Sequence, residues 1–333
     1  LGGFSAYQRT DISYMTNWFD SNKGNLKNMI STFYGCNATD YSPVADWDVS
    51  GVENFTESFR FSAITDVSPL ANWDISSGKY FYTMFYSRPV NDISSLANWN
   101  FESALQLDFM FDATGISTVD GSKWSFPVAQ SMQHFLSNCN ATSIDVSTWG
   151  MGAMEDMTNF IETSTSLTTL EGIENWDVSS VKEWHGAFEN CSSLDMNIDN
   201  WDVSGTLSFN RAFNNTAIDV DLSAWNISNL RVWSGMWDDR DGSLNNAFGS
   251  VTLSTPNYDK LLVSWEARLQ ALYPSGIGYD PDRDDAANGY YSTGGPFNAN
   301  FGASRYTLSS NAEGARTSLG DTFGWTISDG GAV

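Results

Sequence analysis

Eight tryptophans, Trp47, Trp73, Trp99, Trp124, Trp149, Trp176, Trp201 and Trp225, follow one another at intervals of 26, 26, 25, 25, 27, 25 and 24 residues. Other apolar positions keep step with them. Three residues before each tryptophan stand Val44, Leu70, Leu96, Gly121, Val146, Ile173, Ile198 and Leu222. Two residues after come Val49, Ile75, Phe101, Phe126, Met151, Val178, Val203 and Ile227. Two further columns, begun by Phe55 and Phe59, recur eight and eleven or twelve residues after each tryptophan. Chance does not align apolar columns over that many copies. A period of this length marks a repeat architecture, in which no single unit buries its own apolar face and stacked copies do so together.

Each copy reads as a small structural unit. Before the tryptophan, "SIDVSTW" (143–149), "SLDMNIDNW" (193–201) and "AIDVDLSAW" (217–225) alternate apolar and polar residues, the signature of a half-buried strand. After it, "DVS" or "DIS" places an Asp and a Ser where a turn or a helix N-cap needs a side-chain acceptor. The next apolar residues fall at helical spacing, as in Val181, Trp184 and Phe188. The expected fold class is therefore an α/β repeat solenoid, leucine-rich-repeat-like, with one short strand and one short helix (α or 3₁₀) per rung of ~25 residues. Residues 1–250 are expected to hold eight to nine such rungs, and 251–333 a small α+β C-terminal cap. Within the cap the pattern predicts a helix at 256–271, a Gly/Tyr/Asp-rich loop to 296, a strand near 297–301, a helix at 309–320 and a strand at 325–328.

The three cysteines, Cys36, Cys139 and Cys191, occupy nearly the same slot in rungs two or more copies apart. Rungs two steps apart lie ~10 Å from each other at strand spacing, beyond the reach of a disulfide. Three free, buried thiols acting as small apolar fillers are expected.

The recurring pattern L-x-x-W-D-V-S-x-V-x-x-M-x-x-M-F resembles the BspA-like leucine-rich-repeat surface proteins, also described as the bacterial surface 26-residue repeat. Leu70, Trp73, Asp74, Ile75 and Ser76 with Met84 and Phe85 carry the match, as do Ile173, Trp176, Asp177, Val178, Ser179 and Val181 with Phe188. It covers roughly residues 25–240, and the segments 253–269 and 301–331 resemble the closing region that follows such repeats. The middle rungs, "KWSFPVAQSM" and "TWGMGAMEDM", depart from it by lacking the turn residues after the tryptophan. The resemblance implies an extracellular repeat scaffold used for adhesion or recognition.

Charge narrows the partners. With 40 acidic and 16 basic residues the net charge is −24. Such a surface repels phosphate backbones and anionic lipid, so neither nucleic-acid binding nor attraction to a membrane surface is expected. No run of 18 or more apolar residues is present to insert in a bilayer. The acidic, Lys-poor, Asn/Ser/Thr/Trp-rich composition fits an exported protein at a cell or virion surface, and a start at Leu1 fits a processed chain or a segment of a larger one.

Few residues read as chemistry. In "YDPDRDDAANGYY" (279–291), Asp280, Asp282 and Asp284 take positions 1, 3 and 5 of a calcium loop. Position 6 is Asp285 instead of Gly and position 12 is Tyr291 instead of Glu. Two readings stand, a Ca²⁺ site and a solvated acidic loop; no cofactor is required. Asp145, Asp195, Asn197, Asp219 and Asp221 are expected on one face of the strand stack, either as a solubilising surface or as a binding face for a surface protein or glycan. His134 and His185 sit beside apolar columns in the helical part, where a structural role is expected. No catalytic or nucleotide-binding motif is legible. The leading expectation is a non-catalytic extracellular recognition or adhesion scaffold. A structural subunit of a virion, fibre or surface assembly, held by self-association, is the alternative. A glycan-degrading enzyme with a carboxylate pair is the third.

Overall fold

The structure, a computed structural model, describes residues 6–17, 26–87, 90–233, 244–274, 290–293 and 297–333. They belong to two compact units, Leu1–Trp176 and Asp177–Val333. In the first unit consecutive repeats run parallel and in register: Asn28 bridges Asn54, Asn54 bridges Tyr80, Tyr80 bridges Gln106, Gln106 bridges Ser131, and Ser131 bridges Asp156. The chain is thus a repeat protein whose copies lie rung on rung within the unit. Trp47 stacks on Trp73 at 6.4 Å and 3°, and Trp149 on Trp176 at 6.2 Å and 14°. Phe33, Phe59, Phe85 and Phe111 form a second file, with centroid steps of 5.0, 5.3 and 5.5 Å.

One backbone carbonyl per rung ties the files together. The carbonyl three residues before each tryptophan accepts that tryptophan's own backbone N–H, as Leu70 O does from Trp73 N at 3.0 Å. The indole N–H of the next rung donates to the same oxygen: Trp99 Nε1 lies 3.0 Å from Leu70 O. Trp73, Trp124, Trp149 and Trp176 repeat this on Val44, Leu96, Gly121 and Val146, at 3.0–3.1 Å. A buried indole N–H needs such an acceptor, and a carbonyl oxygen has two lone pairs to offer.

Asx turns make the corners. Asp40, Asp66 and Asp92 each accept the N–H of the residue two ahead, at 2.8–2.9 Å, and so start the short 3₁₀ turns Ser42–Val44, Ser68–Leu70 and Ser94–Leu96. A second set follows the tryptophan, with Asp48, Asp74 and Asn100 accepting from Ser50, Ser76 and Glu102. The middle rungs have Ser125 and Gly150 at that position; their Asx turns precede the tryptophan, at Asp120 and Asp145.

Two expectations are corrected here. The helical segment lies before the tryptophan, as a 3₁₀ turn in the rungs of Trp47, Trp73, Trp99 and Trp176, and among the described residues no helix follows the tryptophan within a rung. In the segment after Trp47, Phe55, Glu57 and Phe59 send their amides to the next rung, to Tyr80, Tyr82 and Met84, at 2.8–2.9 Å. Ser58, Arg60 and Ser62 instead curl back three residues. Alternate amides leave the rung, so no helical ladder can form, and the apolar spacing comes from successive turns. The strand expectation also holds only in part. Ser143–Asp145 (β1) pairs in parallel with Thr169–Glu171 (β2), but 193–201 and 217–225 form no strand. Leu194, Met196 and Ile198 are buried between exposed Asp195 and Asn197, so alternation reported which side faces inward, not a ladder.

In the second unit the aromatic file runs through Phe188, Phe213, Phe248 and Phe301, at 5.6, 5.5 and 5.7 Å. Three further strands are Arg231–Trp233 (β3), Tyr290–Thr293 (β4) and Asn298–Asn300 (β5). β3 pairs antiparallel with β4, and β5 pairs parallel with Thr326–Ser328 (β6). Helix α1, Thr255–Leu272, begins with Pro256 in its first turn, where a missing N–H costs nothing. It buries Tyr258, Leu261, Leu262, Trp265 and Leu269. Trp265 donates to Leu222 O at 3.3 Å, the oxygen that a further repeat's indole would take. Helix α2, Asn311–Asp321, is capped by Ser310, which accepts the amides of Ala312 and Glu313. The closing region thus has the two helices and the two strands expected of it, but the stretch expected as a loop to 296 also holds β4, because Tyr290–Thr293 finds a partner in β3, distant in sequence.

All three cysteines are free and buried, and burial pushes the Cys139 thiol up to about 11. Among the described residues no helix is long and apolar enough to cross a membrane.

Replacing Trp99 by Phe removes the donor to Leu70 O while keeping an aromatic ring in the file. Loss of the hydrogen bond and of part of the buried surface is expected to cost about 2–3 kcal/mol in denaturant unfolding; a change below about 0.5 kcal/mol contradicts the shared-carbonyl account. Gly172 has φ of 87°, and a Cβ there would lie 2.5 Å from Ser147 Cα. Gly172→Ala is expected to lower stability by at least about 2 kcal/mol, because both the backbone and the neighbouring rung resist it. Thermal and urea melts of the two variants beside wild type read both effects.

Candidate functional site

The turns after each tryptophan place side chains on the outside of the first unit. Residue 59 and its register mates Phe85, Phe111, Leu136 and Ile161 are buried. Two residues on, Phe61, Ser87, Ala113, Asn138 and Thr163 are half-buried or exposed. All five have φ between 55° and 62°, the left-handed region in which a side chain is strained. The third residue of a type II turn needs that φ, and here it carries side chains at every one of these rungs.

Several of the outer residues are aromatic and form a strip. Tyr7 stacks on Tyr34 at 6.3 Å. Tyr34 meets Phe61 at 5.7 Å, Phe61 meets Tyr86 at 5.8 Å, and Tyr86 meets Phe109 at 6.4 Å, all edge to face. Phe109 also touches Tyr82 at 5.9 Å and stacks on the His134 ring at 4.5 Å. Tyr7 and Tyr82 are exposed, at 55% and 38%, and Tyr34, Phe61, Tyr86, Phe109 and His134 are half-buried. Arg60 lies within the strip, its guanidinium 4.8 Å from the centre of Phe61 and 5.3 Å from that of Tyr86. Nη1 of Arg60 also pairs with Glu57, whose other oxygen accepts the Ser31 hydroxyl at 2.9 Å.

His134 was expected in a helical segment beside the apolar columns; it stands instead on the outer turn, with φ of 50°. Its Nε2 accepts the Asn159 amide N–H at 3.0 Å. The proton therefore sits on Nδ1, 3.2 Å from Ser137 Oγ, and Ser137 donates its own proton to Asn159 O at 2.7 Å. A serine nucleophile needs the opposite polarity, with its hydroxyl donating to the imidazole. Burial holds the His134 pKa below the ordinary value, against the opposing charges of Asp112 and Asp108. Burial also raises the Asp112 carboxyl, opposed by the His134 charge and by hydrogen bonds from the Ala113 amide and the Asn138 side chain. Asp108 accepts from Gln106 Nε2 and Ser131 Oγ, and from Gln133 N at 2.9 Å.

The residues expected on an acidic face fall in both units. Asp145 lies in the first unit and Asp195, Asn197, Asp219 and Asp221 in the second. Asp145 accepts Ser147 N and Oγ at 3.0 and 2.6 Å, and Asn197 accepts Asp199 N at 3.5 Å, so both shape turns. Asp195 is exposed. Asp219 accepts Ser254 N at 2.8 Å and Asn257 Nδ2 at 2.9 Å, anchoring the start of α1. Asp221 accepts Lys260 Nζ at 2.7 Å and Ser223 N at 3.0 Å. Hydrogen bonds from Lys260 and then Ser223 hold its carboxyl below the ordinary range. Asp280, Asp282 and Asp284 lie outside the described residues. Among the described residues no group of three or more His, Cys, Asp or Glu side chains is placed to hold a metal ion.

Sequence reasoning missed the aromatic strip. Its signal was available in "FY" at 33–34 and 85–86 and in "FRF" at 59–61, where a second ring follows the buried phenylalanine by one or two residues.

A family model described as Mycoplasma protein of unknown function, DUF285, matches residues 4–124, 88–169 and 155–256. No curated protein matches the chain, and no solved structure matches it. The three matched stretches overlap and together span more than half of the chain, so the chain belongs to this family of repeat proteins, DUF285.

Proposed function

We propose that the chain is a leucine-rich-repeat-like solenoid of the BspA-like surface-protein kind, extracellular and non-catalytic, that recognises or adheres to a surface ligand. One observation carries the reading. At one outer-turn position the residue is Gly35 in the first rung and then Phe61, Ser87, Ala113, Asn138 and Thr163 over successive rungs, while φ stays between 55° and 62°. Glycine would relieve about 1–2 kcal/mol of strain at each such position. Side chains held there at that cost, on a constant backbone and next to an unchanging core, form a surface whose chemistry varies rung by rung. Repeat proteins use such surfaces for recognition.

The labelled protein, applied to intact cells and to arrays of extracellular proteins and glycans, is expected to bind saturably to at least one of them. No saturable binding, together with ordered polymers in sedimentation velocity, overturns recognition in favour of a structural subunit.

A further inference from the structure

We propose that the aromatic strip of the first unit is a docking surface for a cationic, arginine-bearing polypeptide segment in extended conformation. The inference rests on the recognition reading and names its partner. The strip already holds one guanidinium. Arg60 lies over Phe61 at 4.8 Å and Tyr86 at 5.3 Å while Glu57 pairs with its Nη1. That arrangement of two rings and a carboxylate around a planar cation is what cation–π attraction and guanidinium pairing favour. The rings continue beyond it, through Tyr86 to Phe109 at 6.4 Å and on to His134 at 4.5 Å. In those later rungs the register position of Arg60 is taken by Asp112, Ser137 and Glu162. Two of these three are carboxylates: Asp112, buried and hydrogen-bonded by Ala113 N and the Asn138 side chain, and Glu162, half-buried with Oε2 3.9 Å from His134 Nδ1, the last ring of the strip.

Charge and spacing agree. A chain of net charge −24 attracts cations over a distance. An extended polypeptide presents side chains on one face every ~6.7 Å, close to the 5.7–6.4 Å between successive rings from Tyr34 to Phe109. Arginine suits the strip better than lysine, because its flat guanidinium stacks on rings and its ammonium counterpart is more strongly hydrated.

The test is fluorescence anisotropy at physiological salt with a labelled nonapeptide of alternating Arg and Ser, beside the matching Lys and Ser peptide. The variant Tyr34→Leu/Tyr86→Leu/Phe109→Leu keeps apolar bulk and removes the rings, and its near-ultraviolet circular dichroism reports whether the buried tryptophans stay ordered. Tyr82→Ser, at an exposed ring, is the second variant should the first fail to fold. The control Glu102→Gln/Asp195→Asn removes two charges outside the strip. The Arg peptide is expected to bind several-fold tighter than the Lys peptide, to lose about tenfold in affinity on the triple variant and about threefold on Tyr82→Ser, and to change less than about twofold on the control. Equal affinity of wild type and the ring variants overturns the proposal, since the attraction is then diffuse charge alone. Strip-dependent binding of cellohexaose without binding of the Arg peptide, or strip-dependent dimerisation in sedimentation, overturns it in favour of a neutral glycan or a second copy. If cell or array binding persists unchanged in the triple variant, recognition stands and this surface is not its seat.

Discussion

A single oxygen per rung carries the organisation of the repeat. In the rungs of Val44, Leu70, Leu96, Gly121, Val146 and Ile198 the carbonyl three residues before the tryptophan is held by that tryptophan's own N–H and by the indole of the following copy, as at Leu70 with Trp73 and Trp99. One bond closes the corner inside a rung, and the other fixes the distance to its neighbour. A hydrogen bond of this kind contributes about 1 kcal/mol net. Its larger effect is geometric, because the indole reaches that oxygen only when the repeat length stays near 25 residues. Gly121, with no side chain to offer, still keeps the arrangement, since Trp149 donates to its carbonyl at 3.0 Å. What recurs in the column is therefore a backbone atom, and the apolar side chain around it is secondary.

The same division of labour governs the outer turns. Alternate amides leave for the next rung while those between them close turns within their own. Backbone polar groups are thereby satisfied without a continuous sheet or helix. The outermost side chains stand outside the buried core, and so Phe61, Ser87, Ala113, Asn138 and Thr163 can follow one another on an unchanged frame. Stability and surface chemistry are separated along each rung, one residue apart.

Much of this was legible in the primary structure, and the misses have physical causes. The period, the apolar columns, the buried thiols and the elements of the closing region follow from spacing alone, because burial imposes periodicity whatever the backbone does. Helix and strand could not be read as securely. Val181, Trp184 and Phe188 keep helical spacing, yet the turns they lie in send alternate amides to another rung, a choice made by a partner distant in sequence. The roles of the acidic residues depend on local turns in the same way. Asp145 and Asp221 stand at turns whose N–H groups they accept, so a carboxylate exposed by pattern is occupied by its own chain. The aromatic strip was overlooked because its rings are interleaved with buried ones, and composition does not tell Phe59 from Phe61.

Trp265 has an implication for how such chains change length. It reaches Leu222 O from a helix outside the repeat and occupies the acceptor that another copy's indole would use. Through this bond α1 engages one oxygen of the repeat next to it and makes no demand on how many copies precede that repeat. Tandem duplication or excision of whole copies upstream therefore leaves this contact intact, and genes of this kind can grow or shrink by unequal recombination without disturbing it.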